Sequence, residues 1–95
     1  MLWMLCRNGV TDFAKWKAIF DSHAAAQKAA GQTLENLWRG FDDPQHVFFI
    51  FRVADLNRAK AFISSPDAAK AGKESGVVEG DYWFLTKASD VPPAA

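Results

Sequence analysis

The chain has 95 residues, 49% apolar and 14% aromatic, with eleven basic and eleven acidic side chains. That length admits one domain built on one core, and the apolar content excludes a disordered chain. The cancelled charge removes the electrostatic pull that would bring the protein to nucleic acid or to an anionic membrane surface. A single cysteine, Cys6, has no partner for an internal disulfide, so the chain reads as cytoplasmic. The apolar opening Met1 to Cys6 is cut short by Arg7 and Asn8, unlike a signal peptide. No apolar run approaches the roughly 20 residues of a membrane helix.

Leu2 to Arg7 predicts a first strand, ended by the turn pair Asn8-Gly9. Thr11 or Asp12 then caps a helix over about residues 12–30, with Gly31 just beyond its end. Phe13, Trp16, Phe20, His23, Ala24 and Gln27 recur at helical spacing and share one face of it. Thr33 to Phe41 reads as the second strand, Asp42 to Gln45 as a turn, and Val47 to Val53 as the third. Asp55 caps a second helix with Leu56, Ala59, Phe62 and Ile63 inward, and Ser65-Pro66 starts an extra short helix that Gly76 ends. The last strand is Asp81 to Thr86, led in by Val77 and Val78. A single domain over residues 1–88, followed by a flexible tail over 89–95, completes the chain. The order is βαββαβ, which predicts an α+β, ferredoxin-like fold with a four-stranded antiparallel sheet and its helices on one face.

A sheet covered on one side alternates apolar and polar residues, and this one does not. Val47, Phe49, Phe51 and Val53 make one face of the third strand, while Phe48 and Ile50 make the other, interrupted only by Arg52. Trp3 and Leu5 oppose Leu2, Met4 and Cys6, and Trp83 and Leu85 oppose Tyr82 and Phe84. Leaving the second face wet would expose more aromatic surface than a monomer usually carries. The expected cover is a second copy, packed sheet to sheet as a two-fold homodimer. The alternative is a monomer whose outer aromatics are covered by the tail.

These elements carry a pattern: Asp12-Phe13-x-x-Trp16-Lys17-x-x-Phe20-Asp21-x-His23, then Asp42-Asp43-Pro44 before an apolar strand. Asp55-Leu56, Ala59-Lys60-Ala61-Phe62, Ser65-Pro66 and Ser75-Gly76-Val77 follow. Over residues 2–87 the chain resembles the dimeric α+β-barrel proteins, and more narrowly small bacterial "cyclase-like" members related to the antibiotic-biosynthesis monooxygenases. The resemblance implies a dimeric α+β barrel with a pocket between each subunit's sheet and helices. It covers cofactor-free monooxygenases, cyclases, lyases, isomerases and haem-degrading enzymes. The Trp and His that haem-degrading members carry in the second helical region are absent, since Phe62 and Ile63 stand there. The first strand, Leu2 to Arg7, lacks the His of the plant-type cyclases. No catalytic set therefore transfers residue by residue.

The candidate catalytic residue is His23, whose imidazole suits it to act as a general base; the plain alternative is a partly buried structural histidine. Trp16, Phe20, Trp38, Phe49 and Phe51 are candidates to line a ligand site, or to be core packing. Arg39 and Arg52 are candidates to hold an anionic group or developing negative charge, or to pair with acids and solvent at strand ends. Arg7 and Arg39 fall near one end of parallel strands, which would make an anion-attracting mouth. No metal is called, since His23, His46, Asp42 and Asp43 lack zinc-motif spacing, and no cofactor motif is present. The expectation is a cofactor-free enzyme, cyclase- or monooxygenase-like, acting on a small apolar, aromatic or polyketide-like molecule. A non-catalytic ligand carrier and a purely structural dimer are the alternatives.

Overall fold

The computed structural model describes residues 1–89. The predicted tail lies outside them, apart from Ser89. The described chain folds as β1 (Leu2–Val10), α1 (Phe13–Ser22), α2 (Ala24–Ala29), β2 (Gln32–Arg39), β3 (His46–Val53), α3 (Leu56–Ile63), α4 (Pro66–Glu74) and β4 (Val77–Leu85). The four strands form one antiparallel sheet in the order β2-β3-β1-β4. This is the ferredoxin-like α+β architecture that the element order predicts.

Local chemistry explains the helix starts. Asp12 and Asp55 sit in extended backbone and accept the N–H groups of Lys15 and Arg58 at 3.2 and 3.1 Å. Ser65 does the same for Ala68 at 3.2 Å, with Pro66 at the first helical position, where its missing N–H costs nothing. Gly76 ends α4 at φ +78, a conformation that side-chain-bearing residues avoid. Its carbonyl accepts the Thr11 N–H at 3.1 Å, tying the end of α4 to the entry of α1.

Three expectations are corrected. The Asn8-Gly9 pair does not turn: β1 runs on to Val10 and pairs with His46 on one side and Glu79 on the other through Gly9. A Cβ there would lie 2.7 Å from Glu79 Cγ, so any other residue would push the Glu79 side chain from its place. The longer β1 also explains why β4 starts at Val77, four residues before the predicted Asp81: residues 77–80 have a strand to pair with. The predicted helix 12–30 is broken at His23. The Ile19 carbonyl, which would accept the His23 N–H in an unbroken helix, instead contacts Ser22 Oγ at 2.6 Å and His23 Nδ1 at 2.9 Å. The His23 N–H turns to Phe20 O. Side chains that compete for a backbone carbonyl in this way unwind or bend helices.

The core lies between the helices and one sheet face. Met4, Cys6, Val47, Phe49, Phe51 and Val53 project from the sheet onto Trp16 and Ala59. The other face carries Trp3, Leu5, Phe48 and Ile50 at its centre, flanked in register by Trp38, Trp83 and Leu85. Trp38 and Trp83 are each 48% exposed and Leu85 39%. The apolar second face read from the alternation is therefore present and uncovered in the single chain.

Candidate functional site

A cavity of about 330 Å³ opens between the helix-facing side of the sheet and helices α1 to α4. That volume suits a ligand of two or three rings. Its aromatic wall is one connected set. Trp16 stacks on Phe20 at 4.6 Å between ring centroids, Phe20 meets Phe49 edge-on at 5.1 Å, and Phe49 meets Phe51 edge-on at 5.6 Å. Helical spacing brings Trp16 and Phe20 to one side of α1, and the two-residue period of β3 brings Phe49 and Phe51 up beneath them. The Trp16 indole is not left unsatisfied. With the Asn8 amide oriented to serve both its ends, Oδ1 accepts Trp16 Nε1–H at 3.2 Å and Nδ2 donates to the Arg7 carbonyl at 3.0 Å.

His23 lines the same cavity, half-buried, at the α1/α2 break. Its Nδ1 lies 2.9 Å from the Ile19 carbonyl and 3.1 Å from Ser22 Oγ; the carbonyl can only accept, which favours the tautomer with the proton on Nδ1. Nε2 then holds the lone pair, and it has no hydrogen-bond partner among the described residues.

Of the residues singled out from the sequence, His23, Trp16, Phe20, Phe49 and Phe51 are brought together here. Trp38, Arg39 and Arg52 are not. Trp38 and Arg52 stand on the opposite sheet face, in register with Phe48 and with Trp3. Arg39 is on the helix side but is held away from the cavity: its guanidinium lies 4.0 Å over the Phe13 ring and its Nε donates to Pro44 O at 2.9 Å. The anion-attracting mouth also fails. Arg7 is tied to Asp81, to Glu79 at 3.1 Å and to His46 Nδ1 at 2.9 Å. The hydrogen bonds that it donates to Asp81 first and Glu79 second raise the guanidinium's pKa above its ordinary value. His46 Nε2 in turn faces Asp43 at 3.2 Å.

The sequence reading missed Gln32, Tyr82 and Ser75, which also line the cavity. Tyr82 is 52% exposed at the rim. A two-residue period carried back from Leu34 would have placed Gln32 inward. Cys6 sits in the floor, and burial pushes its thiol from 9.0 up to about 12. It is therefore a neutral apolar wall and not a nucleophile at neutral pH. The linked stability has a definite sign. The unfolded thiol ionises near pH 9 and the folded one near 12, so this contribution is complete below pH 9 and is lost as pH rises toward 12. Urea melts of wild type and Cys6→Ala at pH 8 and pH 11 check it: wild type is expected to lose more stability across that interval than the variant.

No protein-family model matches the sequence, and no curated protein sequence matches it. Solved structures do match the fold. The chain shares the fold of the antibiotic biosynthesis monooxygenase structures. One structure described as an antibiotic biosynthesis monooxygenase aligns with a TM-score of 0.69 and 13% identity, over 94% of this chain and 100% of that one. SnoaB, a cofactor-independent oxygenase from Streptomyces nogalater, aligns with a TM-score of 0.74 and 16% identity, over 97% of each chain. An uncharacterized NIPSNAP domain protein from Burkholderia xenovorans aligns with a TM-score of 0.69 and 15% identity, over 98% of this chain and 100% of that one. At these identities the likeness establishes architecture, and the chemistry has to be argued from the site. Among the described residues no helix is long and apolar enough to cross a membrane.

Proposed function

We propose that this protein is a cofactor-independent acid–base enzyme of the cyclase or monooxygenase kind. Its substrate is a small, flat, largely apolar molecule of aromatic or polyketide-like character, held between sheet and helices. The observation that carries the reading is the placement of His23 in an aromatic-walled cavity, its Nδ1 against the Ile19 carbonyl and its Nε2 unpartnered among the described residues; with the proton on Nδ1, Nε2 is the free base. In that tautomer the imidazole removes a proton from an activated carbon of the substrate: the C–H bond breaks, Nε2–H forms, and the electron pair passes to the substrate's conjugated system. Trp16, Phe20, Phe49 and Phe51 hold the ring system and keep bulk water away from it. SnoaB, similar in fold, is named as a cofactor-independent oxygenase, which agrees with such chemistry.

The working unit is a homodimer joined through the outer sheet faces. The helices already occupy the other side. A second copy offers the same flat apolar surface, so the match is self-complementary about a two-fold axis. The charges favour one orientation. Arg52 and Lys87, two cations against the single Glu35, lie toward one end of this face, while Glu79 and Asp81, two acids against the single Arg7, lie at the other. A two-fold axis running across the strands sets the cationic end of one copy against the acidic end of its partner.

The catalytic reading is tested with 2-tetralone, a two-ring ketone with acidic C–H bonds next to its carbonyl. Proton NMR in D2O is expected to show its C1 protons exchanging faster with protein than in buffer. His23→Ala and His23→Gln are expected to lose most of that acceleration, on the order of 10²-fold, while still binding the ketone. Exchange unchanged in both variants would sink the catalytic role. Saturable binding without any accelerated exchange in wild type would make the protein a carrier instead.

A further inference from the structure

Gln32 is the most deeply buried polar side chain in the cavity wall, only 3% exposed, and among the described residues its amide nitrogen Nε2 has no hydrogen-bond partner. Native folds rarely leave such a group unpaired, because its hydration is given up with nothing in return. Where one is retained, a role beyond packing is the physical expectation. Backbone placement is not the reason for a glutamine here. Gln32 opens β2 opposite Val53, directly after the positive-φ residue Gly31, and an apolar side chain would meet the requirements of that strand position equally well. What the amide adds is two N–H donors beside an otherwise largely apolar chamber.

We infer that Gln32 is the ligand-recognising donor of this cavity. Its Nε2–H takes an oxygen acceptor of the bound molecule, so the site selects apolar ring compounds that carry a ketone oxygen over the corresponding hydrocarbons. Rotation about χ3, a broad and soft torsion in glutamine, turns an N–H from the wall toward the ligand. The contact gives the buried donor the partner it lacks, and it gives the ligand's carbonyl a partner in place of the water that it leaves. A hydrocarbon satisfies neither need. The inference rests on the reading of the cavity as a ligand site and adds the polar group by which ligands are told apart. Gln32 is thus a positioning and specificity residue: when His23 withdraws a proton beside that carbonyl, negative charge collects on the oxygen that Gln32 holds.

The test uses a matched pair, 2-tetralone and tetralin, which differ by one carbonyl. Wild-type protein is expected to bind 2-tetralone at least as tightly as tetralin, although the ketone gains less from leaving water. In the complex the ketone's infrared carbonyl stretch should move to lower frequency than in an apolar solvent. Gln32→Met keeps the volume and removes the donors. It is expected to weaken 2-tetralone about tenfold, the loss of one hydrogen bond, to leave tetralin unweakened, to abolish the infrared shift, and to melt at or above the wild-type temperature. Equal losses for both ligands, or an unshifted carbonyl in the wild-type complex, would overturn the role of Gln32 while leaving the cavity a ligand site. If neither compound binds wild type, the ligand-site reading and this inference fall together; tetralin binding without 2-tetralone would overturn the role of Gln32 alone. The wild-type infrared measurement decides the matter even if the variant does not fold.

Discussion

Trp16→Ala is expected to destabilise the fold by about 3–5 kcal/mol, measured as the shift in the urea midpoint at unchanged slope. Trp16 is 2% exposed and sits where three rings converge: Phe13 at 5.9 Å, Phe20 at 4.6 Å and Phe49 at 5.6 Å. Removing the indole opens a hole between α1 and the sheet and leaves the Asn8 amide oxygen without its donor. Domains of this size have total stabilities of only about 5–15 kcal/mol, so one substitution consumes much of the reserve. Trp16→Phe separates the two contributions. It keeps most of the stacking and loses the hydrogen bond, and is expected to cost about 1–3 kcal/mol. A cost for Trp16→Ala below about 1 kcal/mol would mean that this residue does not anchor the core.

Trp83→Asp is expected to convert a dimer into a monomer. Trp83 lies on the outer face of β4, paired in register with Leu5, which is itself paired with Ile50. In a two-fold interface each substitution counts twice. A large aromatic in such an interface, replaced by a charge, is worth about 2 kcal/mol or more per side, so the dimer is expected to weaken on the order of a thousandfold. Sedimentation equilibrium at micromolar concentration should give twice the 10.5 kDa chain mass for wild type and the chain mass itself for the variant. A wild-type particle of single-chain mass would end the dimer proposal, whatever the variant does.

Much of this molecule was open to reading from the sequence, and the failures have local causes. The alternation in Val47 to Val53 assigned both faces of β3 correctly, because the period of two is a property of the extended backbone. Asp12, Asp55 and Ser65 were legible as caps, because their chemistry is complete within four residues. Trp38 was misplaced by a bulge. The register of β2 shifts between Leu34 and Asn36, so Gln32 and Leu34 face inward, but Leu37 and Arg39 take the inner positions that strict alternation would give Asn36 and Trp38. At the shift, Glu35 accepts the Trp3 Nε1–H at 2.6 Å, a contact with a strand that is not its neighbour. The break at His23 was equally hidden, since it depends on which group captures the Ile19 carbonyl. His23 itself was legible because it shares a helical face with Trp16 and Phe20. Gln32 was harder to read, because a lone glutamine beside a glycine does not stand out as a buried residue; only the period of two carried back from Leu34 places it inward.

The two outermost strands, β2 and β4, leave hydrogen-bonding rims at either side of the sheet. Such rims invite neighbouring molecules to extend the layer without limit. Here β2 is distorted by its bulge, and β4 carries Glu79 and Asp81 along its length, with Gly80 between them. Lateral growth into ribbons is thereby discouraged on both sides. The association left open is the proposed sheet-to-sheet pairing, which closes on itself after a single partner.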